Sequence, residues 1–378
     1  MPRVKNFNPD TRANVRIGGT DLGAPFVMPN GKVGFVMGDT WDGTVPKVGS
    51  GPDWRSPVIL VSPTRNPAQG VPIVIERAVK DGAQLWPYPH NNPEFTTVLP
   101  CDAITINGRI YLWVMVTQGL GNERWCEIWY SDNNGENWVN GTEYTTPGYG
   151  PSSVWNTGHF GGKRVMMTWE RGRDGWVYAI STGGLARNKN AIMWRVREGD
   201  ILNKRKWEGW CFRNGQWQWI IDPPDPAEIL PAGTTCGEMC LRWIQGHWVL
   251  SYLELNQGAT AVKVGYGPIE GINWHSTQTK RPIRSGPLAI FQGAEPLERF
   301  YGCYVHPDSK FDGEFTLIMS EWLLQGGIYN GEGPYRSSQW KMNTKPTAMG
   351  PLLTDPSPPD AGGGNDGNWD PVLAEFIG

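Results

Sequence analysis

The stretches Gly18-Gly-Thr-Asp-Leu-Gly-Ala-Pro25 and Gly38-Asp-Thr-Trp-Asp-Gly43 enclose a short apolar run, Val33–Met37, and together they decide the fold of this chain. Each stretch places one carboxylate, Asp21 or Asp39, within two residues of glycine, which predicts a turn at each acid and a strand between the turns. A strand, turn and strand would fold back and bring both acids to one end of a small sheet. Two carboxyl groups that face a cleft are the smallest set of side chains with which most glycosidases cleave a glycosidic bond. Asp beside Gly is, however, also ordinary turn chemistry.

The composition describes a nearly neutral, tryptophan-rich chain and excludes several function classes. The 378 residues carry a net charge of -3 and include 21 Trp and 49 Gly. Because there is no strong positive charge, nucleic acid and anionic membranes are not expected partners. Abundant Trp and Gly suit short strands and tight turns; exposed Trp rings also stack on sugars, although most rings should be core residues. No apolar run approaches the ~20 residues of a membrane span.

The N-terminus and the cysteines predict a protein made in a cytoplasm and lacking a metal centre. Met1-Pro-Arg-Val-Lys-Asn-Phe7 lacks the apolar core of a secretory signal peptide. The six cysteines form no Cys-x-x-Cys pair, and Cys236 and Cys240 have no His at metal-ligand spacing. With only five His in the chain, we expect reduced, mostly buried thiols and predict no metal ion and no cofactor.

Strand-like runs recur along the chain without long helical periodicity, which predicts an all-β protein. Asn107-Gly108, Asp174-Gly175 and Gln245-Gly246 each stand between two such runs and predict hairpins, and Asp312-Gly313 predicts another. The predicted strands are Val33–Gly38, Pro57–Val61, Arg109–Thr117, Glu127–Ser131, Arg164–Trp169, Trp176–Ser181, Trp217–Ile221, His247–Leu255, Ala261–Gly265, Phe315–Trp322 and Gln339–Met342.

The spacing of the hairpins predicts a five-bladed β-propeller. They recur every ~40–70 residues, which is the period of propeller blades rather than of a sandwich. Because the first strand of each blade lines the central channel, polar groups near these starts should converge on one funnel. The candidate inner strands begin near Gly19, Cys101, His159, Cys236 and Tyr301. The polar groups they carry are Asp21, Asp102, His159, Glu238, and Tyr301 with His306.

A separate motif supports the propeller. The run Ser131-Asp-Asn-Asn-Gly-Glu-Asn-Trp138 fits the pattern Ser-x-Asp/Asn-x-Gly-x-x-Trp and resembles the Asp-box hairpin of sialidase-like propellers. Its polar side chains should close a tight turn between outer strands, with the Trp packed beneath the turn. The motif is structural, so it identifies an architecture and not a reaction.

The last part of the chain differs in composition from the rest. From Thr344 onward Pro, Gly and Asp dominate, as in a linker, and apolar residues return in Asn368–Gly378. We therefore divide the chain into a propeller domain, residues 1–343, and a tail, residues 344–378. The tail either packs back on the domain or docks a virion or oligomer partner, and the sequence leaves both open.

An ordered series of motifs resembles one known family, first catalogued as domain of unknown function 4185 and now grouped as glycoside hydrolase family 183. The resemblance runs from about Gly18 to Met342. Its specific part is the spaced pair of Gly-Thr-Asp-Leu-Gly and Gly-Asp-Thr, whereas many propellers share the Asp box. The motifs are Gly19-Thr-Asp-Leu-Gly-Ala-Pro25, Gly38-Asp-Thr-Trp41, Trp54-Arg-Ser-Pro-Val58, Tyr130-Ser-Asp-Asn-Asn-Gly-Glu-Asn-Trp138, Cys236-Gly-Glu-Met239 and Tyr301-Gly-Cys-Tyr-Val-His-Pro307.

The resemblance implies a five-bladed propeller that cleaves D-arabinan in the arabinogalactan and lipoarabinomannan of mycobacterial cell walls. It implies an endo-acting arabinofuranase that inverts the anomeric centre, with catalytic carboxylates at Asp21 and Asp39. We assign Asp21 as base and Asp39 as acid, with the ring of Trp41 shielding Asp39 from water. Inversion predicts carboxyl groups about 6.5–9.5 Å apart, whereas a separation of about 5–5.5 Å would indicate retention. Cys101 and Cys236 stand where other small residues are expected, which bears on substrate preference.

Further residues are candidates for substrate binding, and Trp41 is one of them. Arg55 either orients a carboxylate or a sugar hydroxyl through its fork of donors, or forms a salt bridge within the first blade. Four channel residues either bind furanose hydroxyls or merely close the channel by hydrogen bonding: Asp102, His159, Glu238 and Tyr301.

Two other functions compete with a glycosidase. A carbohydrate-binding phage tail protein would recognise the host wall without cutting it, and the absent signal peptide and apolar C-terminal tip suit a virion component. The two ideas combine in a tail-borne depolymerase acting at the bacterial cell wall. A sialidase fits less well, because those enzymes need an arginine cluster and Arg16-Ile-Gly18 lacks the Pro of their Arg-Ile-Pro signature.

Overall fold

Antiparallel sheets form the blades of a propeller in this protein, and the strands within each sheet are mostly consecutive in the chain. Strand β1 (Arg3–Asn6) and helix α1 (Asn8–Val15) precede the first blade. The computed structural model describes residues 3–43, 51–65, 67, 71–90, 93–119, 121–141, 164–185, 187–257, 259–277, 279–280, 290–292, 295–297, 300–311, 315–322 and 335–342.

The five blades follow one another in chain order. The first contains β2 (Gly19–Val27), β3 (Val33–Trp41), β4 (Val58–Ser62) and β5 (Arg77–Ala78). The second contains β6 (Thr97–Ile106), β7 (Arg109–Thr117), β8 (Glu123–Ser131) and β9 (Val139–Asn140). The third contains β10 (Met166–Arg171), β11 (Trp176–Thr182), β12 (Ile192–Arg197), β13 (Glu208–Arg213) and β14 (Gln216–Ile221). The fourth contains β15 (Cys236–Ile244), β16 (His247–Glu254), β17 (Ala259–Tyr266) and β18 (Thr279–Lys280).

A short hairpin precedes the fifth blade and consists of β19 (Ile290–Gln292) and β20 (Glu295–Leu297). The fifth blade contains β21 (Phe300–Val305), β22 (Thr316–Trp322) and β23 (Tyr335–Lys341), together with β1. Single turns of 3-10 helix lie at Val79–Gly82, Glu198–Asp200, Lys204–Lys206, Leu255–Gln257 and Ile269–Gly271.

The fifth blade closes the ring because it joins the first described strand to the last. β1 pairs antiparallel with β23, which gives this sheet the order β1-β23-β22-β21. Arg3 of β1 forms an ion pair with the buried Glu321 of β22 at 2.6 Å. Each inner strand contacts the next around the ring, and β2 contacts β21. The prediction of an all-β, five-bladed propeller is confirmed.

The inner strands lie where the sequence predicted them. Four of the five predicted starts lie within the inner strands β2, β6, β15 and β21. They are Gly19, Cys101, Cys236 and Tyr301, respectively. The third blade begins with β10 at Met166, and the predicted start at His159 lies outside the described residues. The ring of inner strands therefore brings four of the five predicted segments to one axis.

The hairpin predictions are confirmed wherever the structure describes them. Asn107-Gly108 joins β6 to β7, Asp174-Gly175 lies between β10 and β11, and Gln245-Gly246 joins β15 to β16. Asn107 and Gly108 have φ angles of 51° and 82°, the left-handed values of a hairpin turn whose twist matches its strands. Asp312-Gly313 lies outside the described residues.

The Asp-box prediction is also confirmed. The turn joins β8 to β9, the outer strands of the second blade. Ser131 Oγ accepts from the backbone N–H of Gly135 at 2.9 Å, and the Asn133 side chain accepts from that of Asn137 at 2.9 Å. Trp138 donates from Nε1 to the Gly135 carbonyl oxygen at 2.6 Å. Polar side chains thus accept hydrogen bonds from the backbone N–H groups of the turn, and the Trp138 indole donates to a backbone carbonyl oxygen of the same turn.

Aromatic rings and thiols fill the space between the sheets. All six cysteines are buried and free, as predicted. Among the residues that the structure describes, eight tryptophans are fully buried: Trp41, Trp113, Trp125, Trp169, Trp194, Trp207, Trp274 and Trp340. The tail at 344–378 lies outside the described residues, so its separation from the propeller stays a prediction. Within the described ranges, no helix is both long and apolar enough to cross a bilayer.

Candidate active site

Asp21 and Asp39 lie on neighbouring strands of the first blade, β2 and β3. The prediction that each acid sits in a turn is wrong, since both are in paired strands. The register shifts on both sides of Leu22, and Leu22 and Gly23 have φ angles of 61° and 111°. This β-bulge uses the left-handed residues that the sequence assigned to a turn, and bulges re-aim side chains beside active sites. Because the strands are antiparallel, both acids lie at the same end of the sheet, as predicted.

The two glycine-rich motifs hold this end of the sheet together. Thr20 and Thr40 face each other across the ladder, with their hydroxyl oxygens 2.8 Å apart. Gly38 has no room for a side chain, because a Cβ there would lie 2.4 Å from Oδ1 of Asp21. The threonines therefore fix the strands that carry the acids, and the glycine accommodates one carboxyl group.

Asp21 is a buried carboxyl group that meets tyrosine hydroxyls. Tyr301 donates to Oδ2 at 3.1 Å, and Tyr335 also interacts with this carboxyl group. Oδ1 is buried and has no hydrogen-bond partner among the described residues. Burial first, and then the charge of Asp39, raise the pKa of Asp21 well above its usual value, whereas the two tyrosines lower it by less. Asp21 therefore keeps its proton to a higher pH than an ordinary Asp.

Asp39 is half-buried and accepts a hydrogen bond from an indole. Trp54 donates from Nε1 to Oδ1 of Asp39 at 2.9 Å. Burial raises the pKa of Asp39 to about 6, against the smaller opposing effects of Trp54 and Thr97. The two carboxyl groups titrate as a pair, in which Asp21 holds its proton more strongly and Asp39 is ionised at neutral pH.

Trp41 and Arg55 lie beside the pair and are engaged with the protein. Trp41 is fully buried and packs edge-on against Tyr335, with ring centroids 5.4 Å apart. Arg55 pairs with Asp42 at 2.7 Å and donates to two backbone carbonyl oxygens at 2.6 and 2.7 Å. Of the two interpretations of Arg55, the structure shows the salt bridge within the first blade.

Asp102 is fully buried in an ion pair with Arg242. Both Nη atoms of Arg242 lie 2.8 Å from the carboxylate oxygens, and Thr168 donates to the same carboxylate at 2.6 Å. Arg242 also donates to the carbonyl oxygen of Pro25 at 2.7 Å. We call this group the axial plug: Asp102, Thr168, Arg242 and the Pro25 carbonyl. Its members come from four inner strands, so it joins four blades, and the Asp102 carboxylate is fully engaged within the protein.

Glu238 and Tyr301 connect two further blades to Asp21. Glu238 forms a buried two-point ion pair with Arg187, in which Nε lies 3.1 Å from Oε2. The guanidinium carbon of Arg187 lies 5.8 Å from the centroid of the Tyr301 ring. The charge of Glu238 adds a smaller contribution to the raised pKa of Asp21. The structure therefore gathers Asp21, Glu238 and Tyr301 into one cluster.

Several residues that contact the candidate site residues carried no usable sequence signal. Tyr335, Arg187 and Arg242 come from segments whose relation to the site only the folded chain shows. Trp54 stands in the Trp54-Arg-Ser-Pro-Val58 motif but gave no sign of its contact with Asp39. His159 lies outside the described residues. No group of three or more His, Cys, Asp or Glu side chains able to hold a metal ion occurs in the described ranges.

The fold is shared with solved structures of low sequence identity. A putative hydrolase from Bacteroides ovatus has a TM-score of 0.57 at 13% identity, with 89% of this chain and 88% of that chain covered. The β-xylosidase RS223 has a TM-score of 0.50 at 11% identity, with 92% of this chain and 98% of that chain covered. At such identities the likeness shows the fold alone.

Sequence relatives cover most of the chain. An uncharacterized 35.9 kDa protein in the asd 3′ region of Mycolicibacterium smegmatis is 26% identical over 341 residues, or 86% of this chain and 93% of that protein. Notoamide biosynthesis cluster protein J′ of Aspergillus versicolor is 25% identical over 354 residues, or 85% of this chain and 86% of that protein. Residues 8–341 match the model of a family described as a domain of unknown function, and the chain therefore belongs to the DUF4185 family.

Proposed function

We propose that this protein is a glycoside hydrolase, an endo-acting enzyme that cleaves the D-arabinan of mycobacterial-type arabinogalactan and lipoarabinomannan. The observation that carries the proposal is the pair Asp21 and Asp39, which interact electrostatically and titrate above the usual Asp range. Carboxyl pairs with separated pKa values are how glycosidases obtain one acid and one base at the same pH.

The choice of substrate is supported by the family. Two of the motifs that carry the resemblance to arabinan hydrolases, Gly19-Thr-Asp-Leu-Gly-Ala-Pro25 and Gly38-Asp-Thr-Trp41, contain the carboxyl pair, and a third motif supplies Trp54, which donates to Asp39. A relative of similar length occurs in a mycobacterium. The β-xylosidase that shares the fold shows that a propeller of this kind can support glycoside hydrolysis, which is an argument by analogy.

The order of the pKa values gives each acid a role. Asp21 is more deeply buried and holds its proton, so it acts as the acid that protonates the leaving glycosidic oxygen. Asp39 has a pKa of about 6 and is ionised at neutral pH, so it accepts a proton from the attacking water. This is the reverse of the assignment made from sequence, because the greater desolvation falls on Asp21.

The resulting hydrolysis is a single inverting displacement. Water attacks the anomeric carbon as its proton passes to Asp39, the bond from that carbon to the glycosidic oxygen breaks, and Asp21 protonates the departing oxygen. The acid and base then exchange protons with solvent. Tyr301 donates to Asp21 at 3.1 Å and Trp54 donates to Asp39 at 2.9 Å, so each carboxyl group is oriented before the substrate arrives.

The test replaces each acid by its amide. Asp21→Asn and Asp39→Asn should each reduce the release of reducing ends from purified mycobacterial arabinogalactan by about 10²–10⁴-fold, the usual contribution of general acid–base catalysis. Asp132→Asn is the matched control, because Asp132 forms an exposed ion pair with Arg109 in the second blade. Circular dichroism must show that every variant is folded.

Two outcomes would overturn the proposal. If both amide variants retain wild-type turnover, the carboxyl pair is not the catalytic pair. If the wild-type protein binds arabinogalactan but releases no shorter fragments, the carbohydrate-binding tail protein is the better interpretation. The anomeric configuration of the first product, followed by NMR, tests inversion separately.

A further inference from the structure

The rings of Trp54 and His90 pack against each other in a tilted arrangement next to Asp39. Their ring centroids are 4.0 Å apart and the ring planes are inclined by 33°. Trp54 is buried, His90 is half-buried, and Nε1 of Trp54 is the atom that donates to Asp39. The orientation of the indole therefore decides whether Asp39 receives this hydrogen bond.

Each nitrogen of the His90 imidazole lies within hydrogen-bonding distance of an oxygen acceptor, and a neutral imidazole donates its one N–H to one of them. Nδ1 lies 2.9 Å from the carbonyl oxygen of Thr96, and Nε2 lies 2.9 Å from Oε1 of Gln84. Gln84 cannot rotate freely, because its Nε2 donates to the Trp86 carbonyl oxygen at 2.9 Å and its Oε1 accepts from the Ser56 backbone at 3.3 Å. A hydrogen bond to a restrained acceptor thus limits the rotation of the ring against which Trp54 packs.

The backbone that carries His90 is also restrained. The run Trp86-Pro87-Tyr88-Pro89-His90 contains two prolines, each of which fixes its own φ angle. The hydroxyl of Tyr88 donates to the carbonyl oxygen of Ser56 at 2.5 Å and accepts from the backbone N–H of Val98 at 3.1 Å. Because Ser56 closely follows Trp54 in the chain, the segment bearing His90 is attached to the segment bearing its stacking partner.

We propose that His90 is a positioning residue that fixes the Trp54 ring and, through its indole N–H, keeps Asp39 ionised. A donor aimed at a carboxylate favours the ionised form, so any freedom of the Trp54 ring weakens this preference. The effect on Asp39 follows from the contacts alone, whereas its catalytic meaning rests on the proposed function. A His90 that only stabilised the fold would leave the titration of Asp39 unchanged.

The experiment follows Asp39 directly by NMR. Protein carrying ¹³C-carboxyl-labelled Asp is titrated, with the Asp39 signal assigned by its absence in Asp39→Asn. In His90→Ala the pKa of Asp39 should rise by about one unit, because the Trp54 donor is no longer held. His90→Phe preserves a stacking ring and should restore most of the wild-type value. His247→Ala is the matched control, since His247 lies on the fourth blade.

Activity supplies the second measurement. The acid limb of the pH profile of kcat/KM should move upward by the same amount in His90→Ala, with about tenfold lower kcat/KM on that limb and little change at pH above it. An unchanged Asp39 titration in a folded His90→Ala protein overturns the inference. If that variant does not fold, His90→Asn takes its place, because it lacks the ring but still offers a polar side chain. A wild type without hydrolytic activity would refute the proposed function but leave the NMR result valid.

Discussion

The axial plug and the Asp21–Asp39 pair place buried acids near the same axis and use them in opposite ways. Asp102 meets a guanidinium group at two points and a hydroxyl at a third. Asp21 meets tyrosine hydroxyls, and its Oδ1 finds no partner in the described part of the chain. A paired acid can remain ionised in the interior and tie elements together. An acid that is desolvated without a cation in contact retains its proton and is available for chemistry.

The largest effect expected from this comparison is on stability. Asp102→Asn should lower the free energy of unfolding by about 3–5 kcal/mol, because it leaves Arg242 buried without its counter-charge. Asp21→Asn should leave stability unchanged or raise it, since an amide does not have to ionise in a buried site. Urea unfolding at neutral pH measures both.

A double variant sharpens the same comparison. Replacing both partners of the plug, as in Asp102→Leu with Arg242→Met, should cost much less than the sum of the two single substitutions. The comparison fails if Asp21→Asn destabilises the protein more than Asp102→Asn does. It also fails if the single and double plug variants are additive, since that would show no coupling between Asp102 and Arg242.

The fold was predictable because its signals are local. Asn107-Gly108 between two alternating runs specifies a hairpin with no information from elsewhere, and the Asp box specifies a turn in eight residues. The aspartates were recognisable because glycine and threonine flank them in a spaced pair. The assignment of Asp21 to a turn failed because a bulged strand also uses left-handed residues, here Leu22 and Gly23.

The electrostatics of the site were not predictable because they depend on distant residues. Asp102 and Arg242 are 140 positions apart, and Tyr301 is 280 positions from Asp21. No periodicity or motif relates such pairs, so the sequence left Asp102 equally suited to substrate binding and to closing the channel. The relative burial of Asp21 and Asp39, on which the roles proposed for them depend, is likewise a property of the closed ring.

A smaller effect is expected in the pH dependence of stability. The pKa of Asp39 is about 6 in the folded protein and 3.8 is its usual value, so ionisation between these values favours the unfolded state. The stabilising contribution of protonated Asp39 is fully present below pH ~4 and is lost as the pH rises through about 6. Asp39→Asn removes that loss and should make the protein about 1–3 kcal/mol more stable than wild type at pH 7.

Urea unfolding between pH 4 and pH 7 checks this prediction. The fall in stability should become shallower in Asp39→Asn, although Asp21 still contributes a change of the same sign. Asp132→Asn is again the control, because the bond from Arg109 lowers the pKa of Asp132 and gives its small contribution the opposite sign. An identical slope in wild type and Asp39→Asn would show that Asp39 is not desolvated.

The smallest effect expected concerns the single hydroxyl group that Tyr301 directs at Asp21. Tyr301 donates to Asp21 and thereby favours its ionised form, so Tyr301→Phe should raise the pKa of Asp21 further. The alkaline limb of kcat/KM should then move to higher pH by about one unit or less, with little change on the acid limb. Tyr178→Phe removes a comparable hydroxyl that donates to Asp174 and should not move either limb. A downward shift in Tyr301→Phe would mean that the alkaline limb reports a group other than Asp21, and the acid and base roles would then return to the order read from the sequence.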